Sequence, residues 1–170
     1  MDWSDVIASA EQDAMALLEA VGVNPQSVPI DPVRIARELD LQVFISPMDS
    51  ELSGALVKDR GEDPVIYLSA SDAVNRRRFT CAHELGHYQQ HVGAAEIEFI
   101  EKREVFYNPG SKQEEVYANA FAAALLMPAA TVRSKADETP GLPNPALLAR
   151  FFGVSAEAMA FRLKNLKIAR

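Results

Sequence analysis

His83, Glu84 and His87 stand in the run Arg78-Phe79-Thr80-Cys81-Ala82-His83-Glu84-Leu85-Gly86-His87, and this HExxH spacing leaves the backbone little choice. On a strand, residues four apart lie about 13 Å from each other. On an α-helix they share one face, about 6 Å apart along the axis. Two imidazoles at the helical spacing can reach one Zn²⁺ at roughly 2.0–2.1 Å. A glutamate directly after the first histidine then projects beside the open metal position, where it can take a proton from water. Such a short pattern also arises by chance, so its surroundings must decide.

The surroundings read as a helix over residues 75–92, with no proline inside it. At 100° per residue Phe79, Ala82, Leu85 and Gly86 form one apolar arc, with His83 and His87 at its edge. Gly86 costs such a helix about 1 kcal/mol relative to alanine, which points to another backbone or a substrate passing close by. A single histidine here would be read as a cap on a core face; the full motif is not.

A zinc hydrolase site usually has three protein ligands and one open position. His91 is excluded as the third, because it lies about 12 Å along the helix from His83. No histidine remains beyond these three, and Cys81 lies on the far side of the helix, so a carboxylate is required. The best source is Glu114-Glu115-Val116-Tyr117-Ala118-Asn119-Ala120-Phe121-Ala122-Ala123-Ala124-Leu125-Leu126-Met127-Pro128, an alanine-rich helix stopped by its proline. Glu115 heads a stripe with Asn119, Ala122 and Leu126, and Asn119 is placed to orient it. Most helix glutamates are simply solvated; this one begins an apolar stripe. Glu114 remains the alternative, since sequence does not fix helix phase to one residue.

With these segments in view, the chain resembles the ImmA/IrrE family of zinc metallopeptidases. The likeness rests on Leu52-Ser53-Gly54-Ala55-Leu56-Val57, the HExxH run, Glu115-Val116-Tyr117-Ala118-Asn119-Ala120-Phe121-Ala122 and Leu125-Leu126-Met127-Pro128, in that order. It covers about residues 30–128, more loosely the rest. The resemblance implies a zincin-like fold, a zinc site of His83, His87 and Glu115, and Glu84 as the catalytic base. It also implies regulated cleavage of a helix-turn-helix repressor, often encoded next door. Tyr117 departs from the family's usual charged or amide residue at a position that is not a ligand, and Cys81 replaces a usual aliphatic.

Helices are expected over residues 5–21 and 33–39, the second capped by Asp31-Pro32. Strands are expected over 41–46, 54–58 and 65–68, the last two joined by a hairpin loop at 59–64. Residues 96–113 read as a polar linker with a turn at Asn108-Pro109-Gly110. The expected fold class is therefore α+β, a small three-stranded sheet packed against a bundle of helices, in one domain over residues 1–170. Residues 54–57 are favoured as the edge that receives an extended peptide.

Residues 146–163 read as helix, Gly-Val-Ser turn and helix, with Arg162, Lys164, Lys167 and Arg170 making the end basic. Those charges sit late in the second helix, whereas a recognition helix reads bases with its first turns. The pair, about residues 144–170, is expected to cover the catalytic cleft rather than bind DNA. A net charge of −7 likewise argues against a phosphate-binding surface. The absence of a long apolar run and the single cysteine suit a cytoplasmic protein without a membrane partner.

The sequence thus reads as a zinc endopeptidase acting on a protein partner, with oxyanion donors among Tyr88, Tyr107, Tyr117 and Arg162. The contrasting reading is a non-catalytic regulatory or toxin/antitoxin-type binding module. Glu84 disfavours it, since a binder has no use for a base there.

Overall fold

The computed structural model describes residues 3–102, 112–138, 141 and 143–168. Among them the chain forms helices α1 (Trp3–Ala20) and α2 (Pro32–Glu38), then strands β1 (Gln42–Ser46), β2 (Leu52–Lys58) and β3 (Val65–Ser69). Helix α3 (Val74–Gln90), strand β4 (Ile97–Lys102) and helices α4 (Lys112–Leu126), α5 (Ala129–Asp137), α6 (Pro145–Phe152) and α7 (Ala156–Asn165) complete it. This is an α+β fold. No single helix among the described residues is long and apolar enough to cross a membrane.

The helix starts follow their capping residues. Asp31 accepts from the backbone N–H groups of Val33 and Arg34, with Pro32 in the first turn of α2. Asn144 with Pro145 does the same for α6, and Ser155 caps α7. Gly153 ends α6 in the left-handed conformation that glycine adopts without strain.

The sheet has four strands, not three, in the order β1-β3-β2-β4. β1 runs parallel to β3, whereas β2 is antiparallel to both β3 and β4. The added strand lies in the segment expected as a polar linker. Its inward residues are Ile97, Phe99 and Glu101, so the apolar alternation breaks at a carboxylate and reads as loop. The turn expected at Asn108-Pro109-Gly110 lies outside the described residues. Because β2 is paired on both sides, residues 54–57 cannot receive a peptide by strand addition; among the described residues the sheet's edges are β1 and β4.

One sheet face, with Leu56, Ile66 and Leu68 fully buried, packs on α3. Helices α4 and α1 pack on the opposite side, and α2 also meets α3. Covered from both sides, α3 buries every residue from Thr80 to His87. The histidines therefore do not border an apolar arc; a central helix has no solvent face along this stretch.

Candidate metal site

The site is set by how closely α3 and α4 approach. A Cβ on Gly86 would lie 2.8 Å from the Cα of Ala118, so only glycine permits this crossing. The other backbone expected near Gly86 is that of α4. The crossing brings Glu115, one turn before Ala118, to the two histidines. Nε2 of His83 and Nε2 of His87 lie 3.0 Å apart. Glu115 Oε2 is 3.4 Å from His83 Nε2, and Glu115 Oε1 is 3.4 Å from His87 Nε2. Bonds of 2.0–2.1 Å to a tetrahedral ion would space the ligand atoms by roughly 3.3–3.4 Å. These three residues form the group of donors able to hold a metal ion among the described residues.

Glu114, the alternative, faces His91 instead, at 3.5 Å. His91 is partly exposed and also lies against the Phe99 ring. Asn119 does not orient Glu115 as expected. Its Oδ1 lies 3.2 Å from His83 Nδ1, which turns Nε2 of that ring toward the other donors. Phe99 on β4 stacks on His87 with ring centroids 4.1 Å apart, fixing the second imidazole by packing.

Glu84 is fully buried, and neither of its carboxylate oxygens has a hydrogen-bond partner among the described residues. A Cβ on Gly54 would lie 2.5 Å from Thr80 Cγ2 and 2.9 Å from the Tyr67 carbonyl oxygen, so glycine in β2 lets the sheet approach α3 closely beside Glu84. A buried carboxylate without a partner is costly unless a cation or water answers it. Two facing imidazole nitrogens with three carboxylates nearby have the same need, and a divalent ion fits this donor set.

The electrostatics agree. Burial pulls the His83 imidazole down, but Glu115, Glu101 and Glu84 outweigh it and push its pKa up to about 9. Burial lifts Glu84 to about 8, helped by Glu101 and Glu115 and opposed by His83. Burial raises Glu115, yet its contacts with His83 and His87 win and hold it well below the usual carboxylate range. His87 is lowered, chiefly by burial. Without a metal the cluster keeps a positive charge on His83, the place a cation would take.

The oxyanion candidates separate. The Tyr117 hydroxyl donates to Asp13 Oδ2 at 2.6 Å, tying α4 to α1. Arg162 donates through Nε to the Met127 carbonyl at 3.0 Å and pairs with Glu11. Neither faces the metal cluster. Tyr88 is half-buried on α3, one turn after Glu84. Tyr107 lies outside the described residues.

The C-terminal pair does not dock where expected. Arg78 donates to the carbonyls of Gly153 at 2.9 Å and Ile30 at 2.6 Å, and Asn75 Nδ2 donates to Val154 O at 3.0 Å. The contacts to Gly153 and Val154 hold the turn between α6 and α7 to the first turns of α3, upstream of His83, not over Glu84. Of the basic residues at its end, Arg170 lies outside the described residues. Sequence reading missed Glu101, whose Oε2 is 3.5 Å from His83 Nε2. Its only signal was the spacing of Ile97, Phe99 and Glu101, and a carboxylate in the inward register hid the strand.

Comparison with known proteins agrees with this architecture. The profile of a peptidase family described as the IrrE N-terminal-like domain matches residues 36–164. Over 98 residues the chain is 31% identical to a protein of Bacillus phage phi105 named "Uncharacterized immunity region protein 2", covering 58% of this chain and 59% of that one. A solved structure, a Mycobacterium tuberculosis transcriptional regulator, shares the fold with a TM-score of 0.61 at 17% identity, over 96% of this chain and 52% of that one. The matches thus span little more than half the length of these relatives.

Proposed function

Because the chain belongs to the ImmA/IrrE peptidase family, we propose that it is a zinc-dependent endopeptidase that cleaves one protein partner. The observation that carries this reading is the 3.0–3.4 Å spacing of His83, His87 and Glu115 beside a fully buried Glu84 whose oxygens have no hydrogen-bond partner among the described residues. His83, His87 and Glu115 would hold the ion, two neutral imidazoles and one carboxylate being a usual hydrolase donor set. A bound Zn²⁺ supplies Lewis acidity, polarising a carbonyl and making water acidic near neutral pH.

The chain's own residues do the rest. Glu84 takes the proton from the attacking water and passes it to the leaving amine. Asn119 keeps His83 in the tautomer with its lone pair on Nε2, and Phe99 keeps the His87 ring in plane. Burial of the cluster excludes bulk water, which strengthens each charge interaction within it.

The partner we propose is a DNA-binding repressor encoded nearby. The name of the phage relative, an immunity-region protein, supports this, as does a net charge of −7 that favours a basic partner. The test is to incubate the protein with the product of the neighbouring reading frame, with and without chelator. Cleavage should stop on chelation. Glu84→Gln should keep zinc and partner binding while cleavage falls about 10²–10⁴-fold. Near wild-type cleavage by that variant would overturn the mechanism.

A further inference from the structure

The outer face of the sheet, turned away from α3, is apolar and uncovered among the described residues. Register aligns Phe44, Tyr67, Ala55 and Ile100 in one row across β1, β3, β2 and β4. On the inner face Leu56 stands level with Ile66 and Phe99, and Phe99 stacks on His87 of α3. Neighbours in register share a face and successive residues alternate, so the row of Phe44 points away from the metal cluster. Phe44 is 47% exposed, Tyr67 37% and Ile100 39%, and the Phe44 and Tyr67 rings stack with centroids 6.0 Å apart. The helices that pack chiefly on the sheet, α3 and α2, meet each other on its inner side.

Val65, level with Val57, continues the apolar surface toward the hairpin between β2 and β3. There Asp59, Glu62 and Asp63 line a shallow hollow of about 230 Å³ together with Val57, Val65 and Tyr67. The cations of this hairpin are engaged elsewhere. Lys58 Nζ donates to the Ala94 carbonyl at 2.9 Å, and Arg60 Nε donates to Glu96 Oε1 at 3.1 Å. The rim of the hollow therefore keeps its negative charge. An exposed apolar patch with a charged rim marks an interaction site.

We propose that this face docks an amphipathic helix of a partner protein, with its apolar stripe on the sheet and its lysines or arginines at the acidic hairpin. The proposal does not rest on the metal site. A sheet face offers packing but no free backbone groups, which suits a helix, whereas extended chains pair with edges. Four strands at about 4.8 Å spacing make a platform about 14 Å wide, enough for one helix about 10 Å in diameter. A second copy of this chain would bring another net charge of −7, whereas a cationic helix is drawn to the rim. The sheet stands between this face and the three candidate donors on α3 and α4, so a docked partner leaves the metal cluster free.

The test uses the full chain and a fluorescent peptide of about 18 leucines and lysines, with the leucines spaced to form one helical stripe. One control peptide has the same composition in shuffled order, and another keeps the stripe but carries glutamates for lysines. Anisotropy should show the striped cationic peptide binding at least about tenfold tighter than either control. Amide NMR shifts should move around Phe44 and Tyr67 and in the hairpin at 59–63. Phe44→Ser combined with Tyr67→Ser should weaken binding at least about tenfold. Asp59→Asn, Glu62→Gln and Asp63→Asn together should weaken it about tenfold and flatten its dependence on salt. All five side chains are exposed, and circular dichroism confirms that both variants are folded. Equal binding by wild type and both variants, or shifts confined to other surfaces, would overturn the proposal. No binding at about 1 mM peptide would do the same. Wild-type dimers that the Phe44 and Tyr67 variant fails to form would give the face to a second copy and overturn it as well.

Discussion

The α3–α4 crossing and the docking of α6–α7 fasten two parts of the same helix by opposite means. At the crossing, Gly86 meets the backbone of Ala118, and nothing between them can rotate. At the dock, Arg78 reaches carbonyls of Gly153 and Ile30 through a side chain with several rotatable bonds. A backbone contact fixes relative position to a few tenths of an ångström. A long cation anchors firmly yet follows a shift of its partner. The three candidate metal donors, spaced 3.0–3.4 Å apart, sit at the first kind of joint. The helical pair, which need only be held, sits at the second.

The largest effect expected of this difference comes from Gly86→Ala. Alanine favours the helix by about 1 kcal/mol. The added Cβ, however, meets backbone that cannot turn aside, and such overpacking typically costs about 1–3 kcal/mol. The helices must separate, which moves Glu115 from the histidines, so zinc affinity should fall about 10–100-fold, as it does when the support of a ligand is lost. Metal titration and denaturant unfolding check this. Unchanged zinc affinity would show that the crossing does not set the site.

The counterpart at the dock is Arg78→Met, which keeps the aliphatic stem and removes the donors. Leaving the carbonyls of Gly153 and Ile30 without them should cost about 1–3 kcal/mol of unfolding free energy. Zinc affinity should remain within about twofold of wild type, since the clamp lies upstream of His83 and neither holds nor orients a metal donor. A comparable loss of zinc in both variants would erase the distinction between the two joints.

The smallest effect is a slope with pH that belongs to the crossing alone. In the metal-free protein His83 and Glu84 have pKa values raised to about 9 and about 8. Both lie above the unfolded values, near about 6.5 and 4.3. The folded state therefore binds more protons than the unfolded one between these limits. The stability from His83 is complete below about 6.5 and is lost as pH rises through about 9. That from Glu84 fades between about 4.3 and 8. Metal-free protein should accordingly lose melting temperature from about pH 6.5 to 9. Zinc binding displaces the His83 proton, so the loaded protein should lose less. Parallel curves for the two forms would contradict the placement of the proton.

Much of the fold was legible because the signals were local. Asp31-Pro32 announces a helix start through groups two and three residues away. The residues between β2 and β3, 59–64, read as a hairpin loop and form one. β4 was hidden because its inward row ends in Glu101, and a strand turned toward a charged site loses the alternation that identifies strands. The docking of α6–α7 was misjudged for a related reason. Arg78 sits in the HExxH run, and nothing nearby in sequence reveals that its partners are Gly153 and Ile30.

What the sequence determined by itself is the helical spacing that pairs His83 with His87, the adjacent Glu84 and the need for a carboxylate from elsewhere. These follow from the pitch of one helix, which needs no tertiary contact to be stated. The tertiary structure alone decided that Glu115 rather than Glu114 meets the histidines, that Asn119 turns to His83 and that Glu101 enters from the sheet. Each depends on the phase and separation of two elements. Those were set where Gly86 lets α3 touch α4 and where β2 carries β4 to the edge, and no count along a single helix contains them.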